Sequence, residues 1–176
     1  GHGKAARRLA GGAGDWAPIR IHVEDAQLKT QLRADDAAYL SEEVLASVVR
    51  WLSLALRVRR VSGSVKLKQH CDLISSSDGE CWRVASDFQR CGDAEIPREH
   101  FADKRYCPNG ANCRVSPGGP GVANADFLLY VTAHDQGICS GGEVRAYANS
   151  CINDQTDRPL AGFINFCQSS TLGSKK

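Results

Sequence analysis

The sequence predicts an α+β domain in which short strands are backed by one long helix and held by disulfides. Three observations carry this reading. Residues 41–57 repeat apolar side chains at helical spacing. Five short segments alternate or concentrate apolar residues between Gly, Asp and Pro punctuation, and eight Cys are scattered along a chain of 176 residues. A chain of this length fits one domain and buries a real core.

Residues 1–14 are Gly, Ala and basic residues without hydrophobic period and read as a flexible leader. Order is expected from Trp16. Ile19-Arg-Ile-His-Val23 alternates apolar and polar, the mark of a half-buried strand, with His22 on its polar face as a surface histidine. Ser41-Glu42-Glu43 places a capping hydroxyl and two acids at the start of a helix. Val44, Leu45, Val48, Val49, Leu52, Ala55 and Leu56 then form one broad apolar face, flanked by Trp51. In Val61 to Leu67 the apolar residues share one parity, predicting a second strand that the preceding helix can bring parallel to the first.

Residues 69–122 hold five of the Cys and four of the six Pro, so only bridges or tight packing could order them. Three strands follow. Phe127 to Thr132 is nearly all apolar, as in a strand buried on both faces. Val144 to Ser150 is mixed, as nearer an edge, and Leu160 to Phe166 is apolar again. Residues 169–176 read as a frayed tail.

Net charge is +2, from 22 basic and 20 acidic residues, too balanced to suggest nucleic acid. No apolar run approaches the roughly 18–20 residues of a membrane span. The chain has no Met, so it reads as a processed or excised piece. Scattered, even-numbered Cys read as four disulfides in an oxidising compartment, hence a secreted, extracellular or cell-surface protein. Structural zinc needs ligands paired as in C-x2-4-C, whereas Cys107 and Cys113, the nearest two, have five residues between them. Proximity pairs Cys71 with Cys81 and Cys107 with Cys113. Cys139 and Cys167 flank the last two strands and are expected to form a further bridge.

Asp126-Phe-Leu-Leu-Tyr-Val-Thr-Ala133, Ala146-Tyr-Ala-Asn-Ser-Cys151 and Arg158-Pro-Leu-Ala-Gly-Phe-Ile-Asn165, in this order, resemble the leishmanolysin family of zinc metallopeptidases. Asp15 to Ile21 resembles the family's first strand, and Val44 to Leu67 its backing helix and following strand. Cys91-Gly-Asp-Ala-Glu-Ile-Pro97 resembles a Cys-Gly and Pro segment of the family, with His100 three residues beyond that Pro. The matched pieces cover most of residues 15–168. The resemblance implies a zincin-like N-terminal subdomain, with a twisted, mostly parallel sheet and one antiparallel edge strand bordering the substrate cleft. That edge is Val144, Arg145, Ala146, Tyr147, Ala148, Asn149 and Ser150. Its partner is an extended peptide or protein substrate, or the remainder of the peptidase. The resemblance also pairs Cys91 with Cys151.

Catalysis in the family rests on His-Glu-x-x-His, two His holding zinc one helical turn apart and the Glu acting as general base. The histidines here are His2, His22, His70, His100 and His134, none four apart. No other catalytic set is recognisable, so the expectation is a chain without catalytic residues or cofactor of its own, zinc belonging to the complete enzyme. Apolar surface that the catalytic helix would cover is expected to be bare around Phe163 and Phe166. Two functional readings follow: the substrate-edge portion of a secreted zinc endopeptidase, inactive alone, or a natural non-catalytic relative serving as an extracellular binding or scaffold module. A third reading, outside the family, is a disulfide-stapled extracellular interaction domain.

Overall fold

A computed structural model describes residues 16–85 and 89–172. The leader and the end of the tail lie outside the described residues. Strand β1 (Trp16–Pro18) leads into β2 (Ile21–Glu24) and a short helix, α1 (Ala26–Gln31). Helix α2 spans residues 34–55 without a break, 22 residues, with a π-helical stretch at Tyr39–Leu45 between α-helical Ala34–Ala38 and Ala46–Ala55. It begins a full two turns before the expected Ser41. Ala34-Asp-Asp-Ala-Ala38 favours helix through Ala propensity and two first-turn acids while showing no apolar period. Arg33 pairs with Asp36 at 2.7 Å, and the Ser41 hydroxyl donates to Asp25 instead of capping.

β3 (Arg57–Arg59) pairs antiparallel with β1. β4 (Ser64–Val65) is all that forms of the expected strand 61–67, and its partner is antiparallel β11 (Val122–Ala123), not β2. Gly63 at φ +77° breaks the extended run just before it. Between lie the hairpins β5 (Cys71–Ile74) with β6 (Cys81–Val84), β7 (Arg90–Cys91) with β8 (Ala94–Glu95), and β9 (Lys104–Tyr106) with β10 (Arg114–Ser116). The central sheet is built from β2, β12 (Phe127–Ala133), β13 (Ala146–Asn153) and β14 (Pro159–Phe166), in the order β13-β14-β12-β2. β12 is parallel to both neighbours, and β13 runs antiparallel to β14. Helix α3 (Gln168–Thr171) occupies part of the expected frayed tail, its Gln168 amide donating to the Ala133 carbonyl at 2.7 Å.

Alternation along β12 and β14 divides the core in two. Leu128, Tyr130, Ala161 and Phe163 face a layer made by the irregular middle of the chain, with Val65, Leu67, Cys91, Ile96 and Phe101. Val131, Ala133 and Phe166 face the helices through Leu28, Leu40 and Leu45. The sheet is thus covered by helix on one side and by disulfide-stapled loops on the other. Only the first half of α2 takes part. Ala46–Ala55 holds no fully buried residue, and Val48, Trp51, Leu54 and Leu56 are exposed, so of the broad apolar face read from the sequence only Leu45 is buried and Val44, Val49 and Leu52 are half-buried.

Phe163 and Phe166, expected bare, are both buried. Phe166 lies under the helices. Phe163 lies beneath Gly92, where a Cβ would run into its ring and where φ is +59°, so glycine is required on both counts. The Tyr147 ring completes the cover edge-on, 5.8 Å between centroids.

Candidate functional site

β13 is hydrogen-bonded to β14 and, among the described residues, to no other strand. It starts two residues later than the sequence suggests and runs three further. Val144 and Arg145 precede it, yet the Arg145 carbonyl still accepts from the Cys167 amide at 2.8 Å. Because Tyr147 stands opposite Asn165, Arg145 stands opposite Cys167, and this bond fixes the phase of the ladder. Alternation then turns the backbone groups of Arg145, Tyr147 and Asn149 toward β14 and those of Ala146, Ala148 and Ser150 away from it. The Ser150 amide is taken by the Asn149 side chain at 2.8 Å, which leaves Ala146 and Ala148, among the described residues, as donors facing away from the sheet between Ala146 and Ser150. At Gly162 the strands approach closely: a Cβ there would stand 2.9 Å from the Asn149 carbonyl oxygen.

Two disulfides tie this edge down. The register slips between Ser150 and Ile152, so Cys151 is the extra residue of a bulge, and it is bonded to Cys91. Cys139 is bonded to Cys167 at the end of β14. Cys71–Cys81 spans the β5–β6 hairpin and Cys107–Cys113 closes the β9–β10 turn. Beneath the edge, Tyr147 donates to Asp93, and its phenol is pushed up to about 12 by burial and by that carboxylate. His134 stands 3.5 Å from the same carboxylate. Buried Asn165 accepts from the Thr132 hydroxyl at 3.0 Å and donates to the His134 carbonyl at 3.0 Å, fixing the loop that follows β12.

Sequence reasoning missed the clamp at the other end of β12. Asp126, fully buried, accepts two bonds of 2.9 Å from the Arg20 guanidinium, one of 3.0 Å from the Arg20 amide and one of 2.7 Å from the Val61 amide. Burial opposes its ionisation, but Arg20 and the amides outweigh it and hold the carboxyl at about 2. This draws residue 61 out of the strand expected there.

Two groups of side chains among the described residues could hold a metal ion. Glu80, Cys107 and Cys113 form one, but both sulfurs are in a disulfide and are not thiolate donors. The other is His22, Glu24 and His100, from β2 and from the 3-10 turn Arg98–His100. Neither supplies two His one turn apart on a helix with a Glu between them. The residues present do not fit catalytic zinc of that kind.

A cysteine-bridged α+β domain with one antiparallel edge strand is the class these features define. A family model described as leishmanolysin matches residues 32–175. The leishmanolysin-like peptidase of Caenorhabditis elegans is 34% identical over 165 residues, covering 88% of this chain and 25% of that protein. The leishmanolysin-like peptidase of Drosophila melanogaster is 30% identical over 162 residues, 87% of this chain and 24% of that protein. The ciliated left-right organizer metallopeptidase of Mus musculus is 44% identical over 81 residues, 45% of this chain and 12% of that protein. The chain belongs to the leishmanolysin family, whose members are zinc metallopeptidases, and corresponds to an N-terminal portion. It spans about a quarter of the length of the leishmanolysin-like relatives. No helix among the described residues is long and apolar enough to cross a membrane.

Proposed function

We propose that this chain is the zincin-like, substrate-edge portion of a secreted or cell-surface zinc endopeptidase of leishmanolysin type, inactive by itself. The observation that carries the reading is the one-sided pairing of β13, with the Ala146 and Ala148 amides directed away from the sheet. An extended peptide adds to such an edge through main-chain hydrogen bonds, and side chains such as Arg145 and Tyr147 tune preference rather than decide binding. The Cys91–Cys151 bond and the packing of Tyr147 on Phe163 support it by holding the edge rigid, which lowers the entropic cost of adding a strand. The metal-bound water and general base belong to His-Glu-x-x-His, which this sequence does not contain.

Burial of Phe163 and Phe166 favours a second reading, a self-contained binding or scaffold module of the same family. Both readings use the same edge. The test is fluorescence anisotropy with labelled, unstructured casein-derived peptides and their counterparts N-methylated at alternate amides. Saturable binding that N-methylation weakens tenfold or more is expected. Equal binding of both forms would remove the strand-addition reading.

A further inference from the structure

His22, Glu24 and His100 converge in a way that the peptidase reading leaves unused. His22 and Glu24 are two apart on β2, so their side chains leave the same face of the strand. That face is the one covered by the loop layer, since His22 stands opposite Leu128 and Glu24 opposite Tyr130. The 3-10 turn Arg98–His100, following Pro97, lowers the buried His100 onto it. His22 Nε2 is 3.9 Å and His100 Nε2 4.0 Å from the same carboxylate oxygen, Glu24 Oε2.

These separations are too long for hydrogen bonds. They suit a shared ion instead. The three ligand atoms lie within 4.8 Å of one another. A point equidistant from three atoms so spaced is roughly 2.3–2.5 Å from each, and a contraction of a few tenths of an ångström reaches the ~2.0–2.1 Å of a zinc–nitrogen bond. Glu24 and His100 are also held from behind. Glu24 Oε1 accepts from the Ala26 amide at 3.3 Å, leaving Oε2 for the histidines. His100 Nδ1 is 2.9 Å from the Tyr130 hydroxyl, which is itself fully buried. With Nδ1–H donated to that oxygen, the Nε2 lone pair is directed at Glu24. Orientation of a ligating imidazole through its other nitrogen is the usual support of a metal site.

We propose that His22, Glu24 and His100 bind one first-row divalent cation, of which Zn2+ is the probe. Two imidazoles and one carboxylate are a donor set this class of ion accepts, and half-exposed His22 leaves room for a solvent ligand in the fourth position. The ion would link β2 to the loop layer through residue 100.

The test is calorimetric titration of the full, tag-free chain with ZnCl2 in a non-chelating buffer, with disulfides intact so that no thiolate competes. One equivalent is expected to bind. His22→Ala and Glu24→Gln, at positions that are not fully buried, are each expected to weaken binding at least tenfold while keeping the native circular dichroism. His2→Ala and His70→Ala are expected to bind as the parent does. Zinc should also raise the melting temperature of the parent but not of Glu24→Gln. Absence of a stoichiometric site in the parent, or affinity unchanged in His22→Ala and Glu24→Gln, would overturn the proposal and leave the cluster as a solvent-bridged polar contact. Neither outcome bears on peptide binding at β13.

Discussion

Replacing Asp126 by Asn removes the one negative charge at the junction of β2, the segment after β3, and β12. The carboxyl is fully buried and lies at about 2 against an ordinary 3.8, a difference equivalent to about 2.5 kcal/mol of stability at neutral pH. Asn adds a mismatch, because its amide N–H2 faces donors from Arg20 or Val61, so one or two hydrogen bonds are lost at roughly 1 kcal/mol each. The variant is therefore expected to be about 3.5–4.5 kcal/mol less stable near pH 7, within the range for removing one partner of a buried ion pair. The pH dependence is more specific. Between about pH 4 and pH 2 the unfolded chain binds a proton at Asp126 and the folded chain does not, so the carboxylate's contribution falls as pH falls through that window. Below it, the gap between parent and variant should shrink by about 2.5 kcal/mol. Urea unfolding at pH 7, 4 and 2, with disulfides intact and equal m values, measures the gap while cancelling the other carboxylates. A gap that stays constant across the series would refute the clamp.

The remaining expectations are direct. Replacing Cys91 and Cys151 by Ala opens a 60-residue separation and should cost about 4 kcal/mol, against about 2 kcal/mol for Cys107 and Cys113, separated by 6. Thermal unfolding of the two double variants gives the order, and a larger loss for the short loop would contradict it. The parent chain should not cleave casein, with or without added zinc; chelator-sensitive cleavage would contradict a chain inactive by itself.

What the sequence reveals depends on whether a signal is local. β12 and β14 are near-continuous apolar runs, so their existence and burial are readable from composition alone. The mixed composition of β13 points to an edge, but its start is shifted because Val144 and Arg145 are held by Ser170, Thr171 and Cys167 rather than by regular pairing. The onset of α2 is hidden because Ala and Asp favour helix without marking a face. The strand expected at 61–67 has the right parity, but Gly63 and the bond from Val61 to Asp126 override it. The Arg20–Asp126 clamp joins residues 106 apart, and His100 meets His22 from a different element. Such pairs leave no periodic trace, since only the fold brings them together.

Whether β13 accepts a peptide strand is tested most directly by hydrogen exchange at its backbone amides. Ala146 and Ala148 are expected to exchange readily in the free chain and to gain protection on saturation with a casein-derived peptide. Tyr147 and Asn149, already facing β14, should change little, and the N-methylated peptide should protect neither pair. Protection appearing elsewhere on the molecule with Ala146 and Ala148 unchanged, or slow exchange of both amides before any peptide is added, would contradict the open-edge account.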